Sequence, residues 1–231
     1  MPSFGCAGLQ PTAQVDNNAG TQAMPSYYGP KAKIAVSNFD VKAAKAYGEI
    51  GTGLREMLIT ALVNSNRFRV VERQVLDAVM QEQQLGASGA AAPGQSGAQR
   101  GQIKTADIIV TAAITEFEPQ ASGGAGGLGG GGSVGGALVG AILGGSLNKA
   151  HMALDLRIID TSTSEVLAAT RVQGQTTDIA GGIFAGVLGS VPLGIGLGGY
   201  ANTPMEKAIR VCIIEAVKYI AQTTPANYFK D

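Results

Sequence analysis

The sequence predicts an α+β domain, with a mostly antiparallel sheet, helices packed on it and two Gly-rich β-hairpin insertions. Three observations lead there. Segments with apolar residues at alternate positions read as strands, and segments with apolar residues three and four apart read as helices. Two charge-free windows together hold 21 of the 34 glycines in the 231-residue chain. That length fits one domain with appendages, and it can bury a core without metal or disulfide staples.

Residues 1–30 contain Pro2, Pro11, Pro25 and Pro30 and little hydrophobic periodicity, so they read as a tether or extended arm. Residues 31–231 form the domain proper. Lys31 to Phe39 is the first strand, carrying Ile34 and Val36. Leu54, Met57, Leu58, Ala61 and Leu62 recur at helical spacing, and Asn64-Ser65-Asn66 stops that helix. Phe68, Val70 and Val71 make a short strand, and Leu76, Val79, Met80 and Gln83 continue as a second helix. Gly86 to Gly101 is a small-residue linker.

Asp107 to Phe117 is rich in β-branched residues and reads as a strand. Met152, Leu154, Leu156 and Ile158 alternate with Ala153, Asp155, Arg157 and Ile159, the mark of a half-buried strand. Asp160-Thr161-Ser162-Thr163-Ser164 is a turn, from which Val166 to Thr177 returns antiparallel. Thr203-Pro204-Met205-Glu206 opens the last helix, with Thr203 as cap, Pro204 at the first position and Glu206 closing a capping box. Met205, Ala208, Ile209, Cys212, Ile213, Ala216 and Ile220 form its buried stripe.

Composition excludes several classes. Seventeen basic and seventeen acidic residues leave no net charge, which argues against a general nucleic-acid binder. One His and two Cys cannot by themselves supply three or four metal ligands, and no cofactor site is indicated. Cys212 reads as a buried, inert thiol. Cys6, in Phe4-Gly5-Cys6-Ala7-Gly8 ahead of a polar stretch, resembles the end of a bacterial lipoprotein signal, whose Cys carries the lipid. There is no run of 18 strongly apolar residues, hence no ordinary transmembrane helix.

The two windows, about 119–149 and 178–202, each interrupt a regular alternation of elements. As membrane β-hairpins they fit, since a spanning strand needs about 9–11 residues. In the second window Phe184, Leu193, Ile195, Leu197 and Tyr200 would be the membrane-hairpin residues, because Leu193-Gly194-Ile195-Gly196-Leu197-Gly198 alternates strictly. Four spanning strands leave unsatisfied edges in a bilayer, so this reading forces a barrel shared among several subunits. Two other readings compete. Glycines four apart would allow packed membrane helices, against which stand Pro192 and the cost of Gly in a helix. Flexible loops outside any membrane are the third reading.

Nothing reads as catalytic. Gly124 to Gly129 and Gly194 to Gly199 match a dinucleotide-binding pattern that glycine-rich windows produce by chance. Gly131-Gly132-Ser133-Val134-Gly135 matches a hydrolase elbow, but a glycine run cannot hold Ser133 rigidly, and His151 reads as a strand residue on the polar face. Glu72-Arg73, with Arg55, Arg67 and Arg69 close in sequence, reads as solvated or inter-subunit ion pairs, and Tyr47 as a loop residue able to line an opening.

Several segments carry a resemblance. LITALVNSNRFRVVERQVLDAVMQEQQ (58–84), TADIIVTAAITEFEP (105–119), HMALDLRIIDTSTSEVLAAT (151–170) and NTPMEKAIR (202–210) resemble successive elements of the CsgG/HfaB family of outer-membrane lipoproteins. The resemblance implies a homo-oligomeric ring on the periplasmic face of the outer membrane. Cys6 would be its lipid anchor, and each subunit would give two hairpins to a shared barrel that exports unfolded protein. Four strands per subunit against a ceiling of about 36 gives about nine copies. Implied partners are other copies, outer-membrane lipid, the unfolded cargo and periplasmic or surface accessory proteins. The connection matching the family's constriction loop, Asp40 to Gly51, is shorter here and carries only Tyr47 as an aromatic candidate. A lipid-anchored ring that organises an adhesin or envelope assembly without a pore is the alternative.

Overall fold

The computed structural model describes residues 12–14, 26–88, 100–121, 149–177, 193–201 and 203–230. Strands β1 (Thr12–Gln14), β2 (Lys31–Val41), β3 (Phe68–Val70), β4 (Ile108–Ala121), β5 (Lys149–Asp160) and β6 (Val166–Thr177) form one sheet in the order β1-β6-β5-β4-β2-β3. A two-residue strand, β7 (Phe229–Lys230), also pairs with β2. Helices α1 (Ile50–Asn64), α2 (Leu76–Ala87) and α3 (Pro204–Thr223) complete the described elements.

The sheet is mixed, which corrects the mostly antiparallel sheet expected from the sequence. β4–β5 and β5–β6 are antiparallel, but β2 runs parallel to both β3 and β4, and β1 parallel to β6. The reason lies in the connections. A helix between two strands returns the chain to the starting end, so a strand–helix–strand–helix–strand run gives strands of one direction. Residues 31–121 are such a run. Within the expected tether, Thr12–Gln14 adds an edge strand to β6 at Gln173–Gln175.

One face of the sheet carries the core. Ile34 and Val36 of β2, Ile108, Val110 and Ile114 of β4, and Met152, Leu154, Leu156 and Ile158 of β5 are all buried there. Against them lie Leu54, Met57, Leu58, Ala61 and Leu62 of α1 and the expected stripe of α3, from Met205 to Ile220. Each such apolar side chain contributes about 1.5–3 kcal/mol on burial. Cys212 lies within this layer, where burial pushes its thiol far above the ordinary range and keeps it unreactive. By contrast, α2 is largely exposed.

Local chemistry sets the element ends. α1 stops at Ser65, whose hydroxyl donates to the Leu62 carbonyl (2.6 Å), and at Asn66, which takes the left-handed φ of 58° that Asn tolerates. Thr203 caps α3 by accepting the Glu206 N–H at 3.4 Å. The reciprocal half of the expected capping box is replaced: the Thr203 N–H donates to the Tyr200 carbonyl, while the Glu206 carboxylate engages Arg210. Residues 26–30 are tied down by Tyr27, which stacks edge-on to Phe229 and lies 4.5 Å beneath the Arg67 guanidinium.

At the β5–β6 turn, one oxygen of the buried Asp160 carboxylate accepts from the backbone and hydroxyl of both Ser162 and Thr163. The other takes the Tyr228 hydroxyl. These donors, Tyr228 foremost, hold the Asp160 carboxyl far below the usual carboxylate range, and the same bond pushes Tyr228 up to about 12.

Two predictions follow from this packing. A carboxyl held low when folded contributes stability above the unfolded pKa of about 4, lost as pH falls below it. Wild type should therefore lead Asp160→Asn in denaturant stability at neutral pH, and that lead should shrink below about pH 4. A pH-independent gap would show that the carboxylate's charge is not what the turn uses. At Gly174 of β6, an added Cβ would collide with the Ala208 backbone carbonyl of α3. Gly174→Ala should cost about 1–3 kcal/mol by overpacking, measured from urea unfolding midpoints.

Candidate functional site

Pairing across three strands brings the separated insertions to one place. Ala121 of β4 pairs with Lys149 of β5, and Lys149 pairs with Thr177 of β6. Residues 122–148 therefore join two strand ends that lie side by side, and residue 178 leaves from the next strand at the same level. Because β2 runs parallel to β4, with Val41 opposite Ile114, the loop after β2 emerges toward this end as well. Lys42 and Ala43 N–H groups both donate to the Ile114 carbonyl at 2.9 Å, and Lys45 pairs with Glu118. That loop carries Tyr47, 69% exposed. Gln14 of β1 pairs with Gln175, close to Thr177.

The face of the sheet opposite the core is polar near this end. Glu116 accepts from both His151 Nε2 and Arg171 Nη2, and Arg171 Nε lies 3.8 Å from Asp155. His151 sits on the polar face, as its place in the strand predicts. These partly exposed pairs are worth about 0–1 kcal/mol each, so they mark a wet surface more than they stabilise the fold.

The segment 193–201 departs from expectation. The alternation of Leu193, Ile195 and Leu197 predicts a strand with all three side chains on one face. Instead the chain turns at Ile195-Gly196, where Gly196 has φ +78°, and passes into a single 3-10 turn at Gly198–Tyr200. Leu197 is 0% exposed in the core, Leu193 packs against it and Ile195 is 53% exposed. Tyr200 meets Phe117 of β4 edge-to-face at 5.3 Å. Gly194 presses on Gly53 of α1, backbone against backbone, so a Cβ on either would collide with the other segment's main chain. Packing overrides periodicity here: Leu197 gains about 1.5–3 kcal/mol from burial, which the strand form would not give without a membrane.

Of the other predicted site residues, Cys6 and Phe184 lie outside the described residues, as do Ser133 and the first dinucleotide-like run. The second such run is the turn just described, not the strand-to-helix junction that phosphate binding needs. Arg55, expected in a solvated or inter-subunit ion pair, is 6% exposed, and its Nε and Nη1 have no hydrogen-bond partner among the described residues. No group of three His, Cys, Asp or Glu that could hold a metal occurs among the described residues. No described helix is long and apolar enough to cross a membrane. Sequence reasoning missed the docking of residues 193–200. Its one visible signal was the glycine at position 53 inside an otherwise large-residue helix face.

The model of the family described as "Curli production assembly/transport component CsgG" matches residues 15–229. A Neisseria meningitidis serogroup B protein named as a lipoprotein (NMB1126/NMB1164) is 28% identical over 207 residues, covering 85% of this chain and 78% of its own. Among solved structures, protein CT253 of Chlamydia trachomatis gives a TM-score of 0.47 at 11% identity, covering 84% of this chain and 97% of its own. The PelC dodecamer from Paraburkholderia phytofirmans gives 0.38 at 11% identity, covering 86% and 96%. Such loose likenesses carry neither assembly nor partner over to this chain. The family match spans every described element from β2 to α3 and reaches the first residue of β7, and on that ground the chain belongs to the CsgG family of curli production assembly/transport components.

Proposed function

We propose that this chain is a lipid-anchored outer-membrane subunit that assembles with copies of itself into a ring, whose shared β-barrel passes unfolded protein by diffusion. The observation that carries this is the common end of β4, β5 and β6, from which both Gly-rich windows depart. A hairpin continuing β4 and β5 across a bilayer needs about 9–11 residues per strand plus a turn. Residues 122–148, twenty-seven in number, supply that. Two hairpins cannot satisfy their own edges in hydrocarbon, so copies must close the barrel together, about nine at the known ceiling of about 36 strands.

The anchor fits the same end. Thr12 is the sixth residue after Cys6, a reach of about 20 Å, and β1 lies along β6 within four residues of Thr177. A lipid on Cys6 therefore stays within range of the windows, in keeping with the lipoprotein name of the meningococcal relative. Tyr47, exposed on the loop that emerges at this end, would line the mouth of the lumen as part of its constriction. The work is passage and needs no bond chemistry.

One observation favours a second reading, a lipid-anchored adaptor ring without a pore. Residues 193–200, expected in the second hairpin, lie packed in the domain. Planar-bilayer conductance of the detergent-purified ring separates the two. With residues 122–148 replaced by an Asn-Gly turn, which suits a two-residue hairpin, the ring should persist and the conductance steps should vanish. Steps of unchanged size would exclude the first window from the barrel, and an intact but silent wild-type ring would favour the adaptor. Tyr47→Ala should enlarge the steps if Tyr47 narrows the mouth. An unchanged step would remove Tyr47 from the lumen.

A further inference from the structure

We infer that Arg55 on α1 receives Glu82 on α2 of a second copy of this chain, an ion pair that joins one subunit of the ring to the next. The inference rests on the ring reading above and names a contact that builds it. Arg55 is 6% exposed, its Nε and Nη1 are buried, and its guanidinium makes no hydrogen bond or ion pair among the described residues. A buried charge without a counter-charge is among the costliest features a fold can keep. Its own helix cannot supply one. Opposite charges on a helix meet three or four residues apart, and those positions hold Gly51, Thr52, Leu58 and Ile59, while the adjacent Glu56 does not face it. Of the elements packed on α1, strand β3 carries no acid. Asp40 of β2 follows the core residue Phe39 and so points to the other side of the sheet. Glu206 and Glu215 of α3 pair with Arg210 and Lys218. The counter-charge therefore comes from outside the chain.

Helix α2 presents what Arg55 lacks. Only Gln83 of this helix is buried. Glu82 is exposed and makes no bond among the described residues, and the positions three and four away hold Ala78, Val79, Leu85 and Gly86. The other acid of α2, Asp77, has Arg73 four residues before it and the helix N-terminus to engage. Val75, Val79 and Leu85, all exposed, frame the Glu82 carboxylate with apolar surface. Arg55 is bordered in the same way by the half-buried Ile59 and, one turn on, the exposed Val63. An ion pair closed inside such a frame is shielded from water, as the centres of strong interfaces are. Topology sets the two residues back to back. In the order β4-β2-β3, strands β3 and β4 flank β2, and crossovers between parallel strands are right-handed, so α1 and α2 lie on opposite faces of the sheet. Within one chain the sheet separates Arg55 from Glu82. Between copies, a contact of opposite faces is head-to-tail, repeats from each subunit to the next, and closes into a ring where the rotation allows.

The test is light scattering on the detergent-purified full chain, wild type beside Arg55→Glu, Glu82→Arg and the double variant. Each single reversal sets like charges against each other, so the concentration at which the ring forms should rise at least about tenfold, and the double variant should bring it back. Glu82 is exposed, so its reversal leaves the fold intact. A ring indifferent to Glu82→Arg, or a double variant that does not recover, would overturn the contact while leaving the ring standing. A wild-type chain that stays monomeric would overturn the ring reading and the contact with it. Arg55→Met supplies an independent check, because it removes the charge and keeps an apolar stem. Diluted to monomers, this variant should unfold at a higher urea midpoint than wild type, having shed an unpaired buried charge, and yet assemble more weakly. A lower midpoint would mean that the single chain already satisfies Arg55, and would overturn the proposal.

Discussion

Backbone pairing across β4, β5 and β6 determines where every other part of the molecule can lie. Once Ala121, Lys149 and Thr177 stand side by side, two windows separated by nearly thirty residues of ordered chain must leave from one edge. The register is set by burial, since a one-residue slip would turn Met152, Leu154, Leu156 and Ile158 out of the core and His151, Asp155 and Arg157 into it. The two irregularities in the β4–β5 ladder, at Ile114/Glu116 and Glu118/Ala121, fall in the half of the pair nearest the windows. Such irregularities bend a strand and increase its twist, so they bear on the direction in which the windows depart.

The sheet also divides labour between its faces. On the core face, α1 and α3 bury an apolar layer that fixes the loop after β2 and the entry to α3. On the other face, Glu116, His151, Arg171 and Asp155 form a partly exposed ion-pair cluster that no described helix buries. The far end is held differently. There Asp160 ties the β5–β6 turn to Tyr228, so the carboxy-terminal segment closes the edge remote from the windows.

Much of this was legible in the sequence. The helices, the long strands and the buried stripe of α3 follow from periods of 3.6 and 2, and Thr203 announced its cap. The parallel pairing of β2 with β4 was missed because the strands were judged by their own alternation, whereas strand direction is decided by the connections. Thr12–Gln14 was missed because three residues in a proline-bearing arm carry no period, and backbone pairing needs none. Leu193 to Gly198 misled for the opposite reason: its period is clear, but periodicity states only which side chains could share a face. It says nothing of the Gly53 groove that accepts the segment as a turn. Arg55 was misplaced because charge in a sequence implies solvent until packing shows otherwise.

The two windows are alike in composition and unlike in circumstance, and the difference is a matter of neighbours. Residues 122–148 are bounded on both sides by strands that already point out of the domain, so nothing in the described fold opposes their extension. The second window is bounded on one side by β6 and on the other by a segment that has found a place in the core. Glycine makes the docking attainable, because it lets Gly194 approach Gly53 closely enough for Leu197 to reach the core. A larger residue at position 53 or 194 would remove the docked state and leave the strand pattern untouched, so the docked state is the one that specifically requires glycine. A sequence needing only the extended form would have no use for that pair.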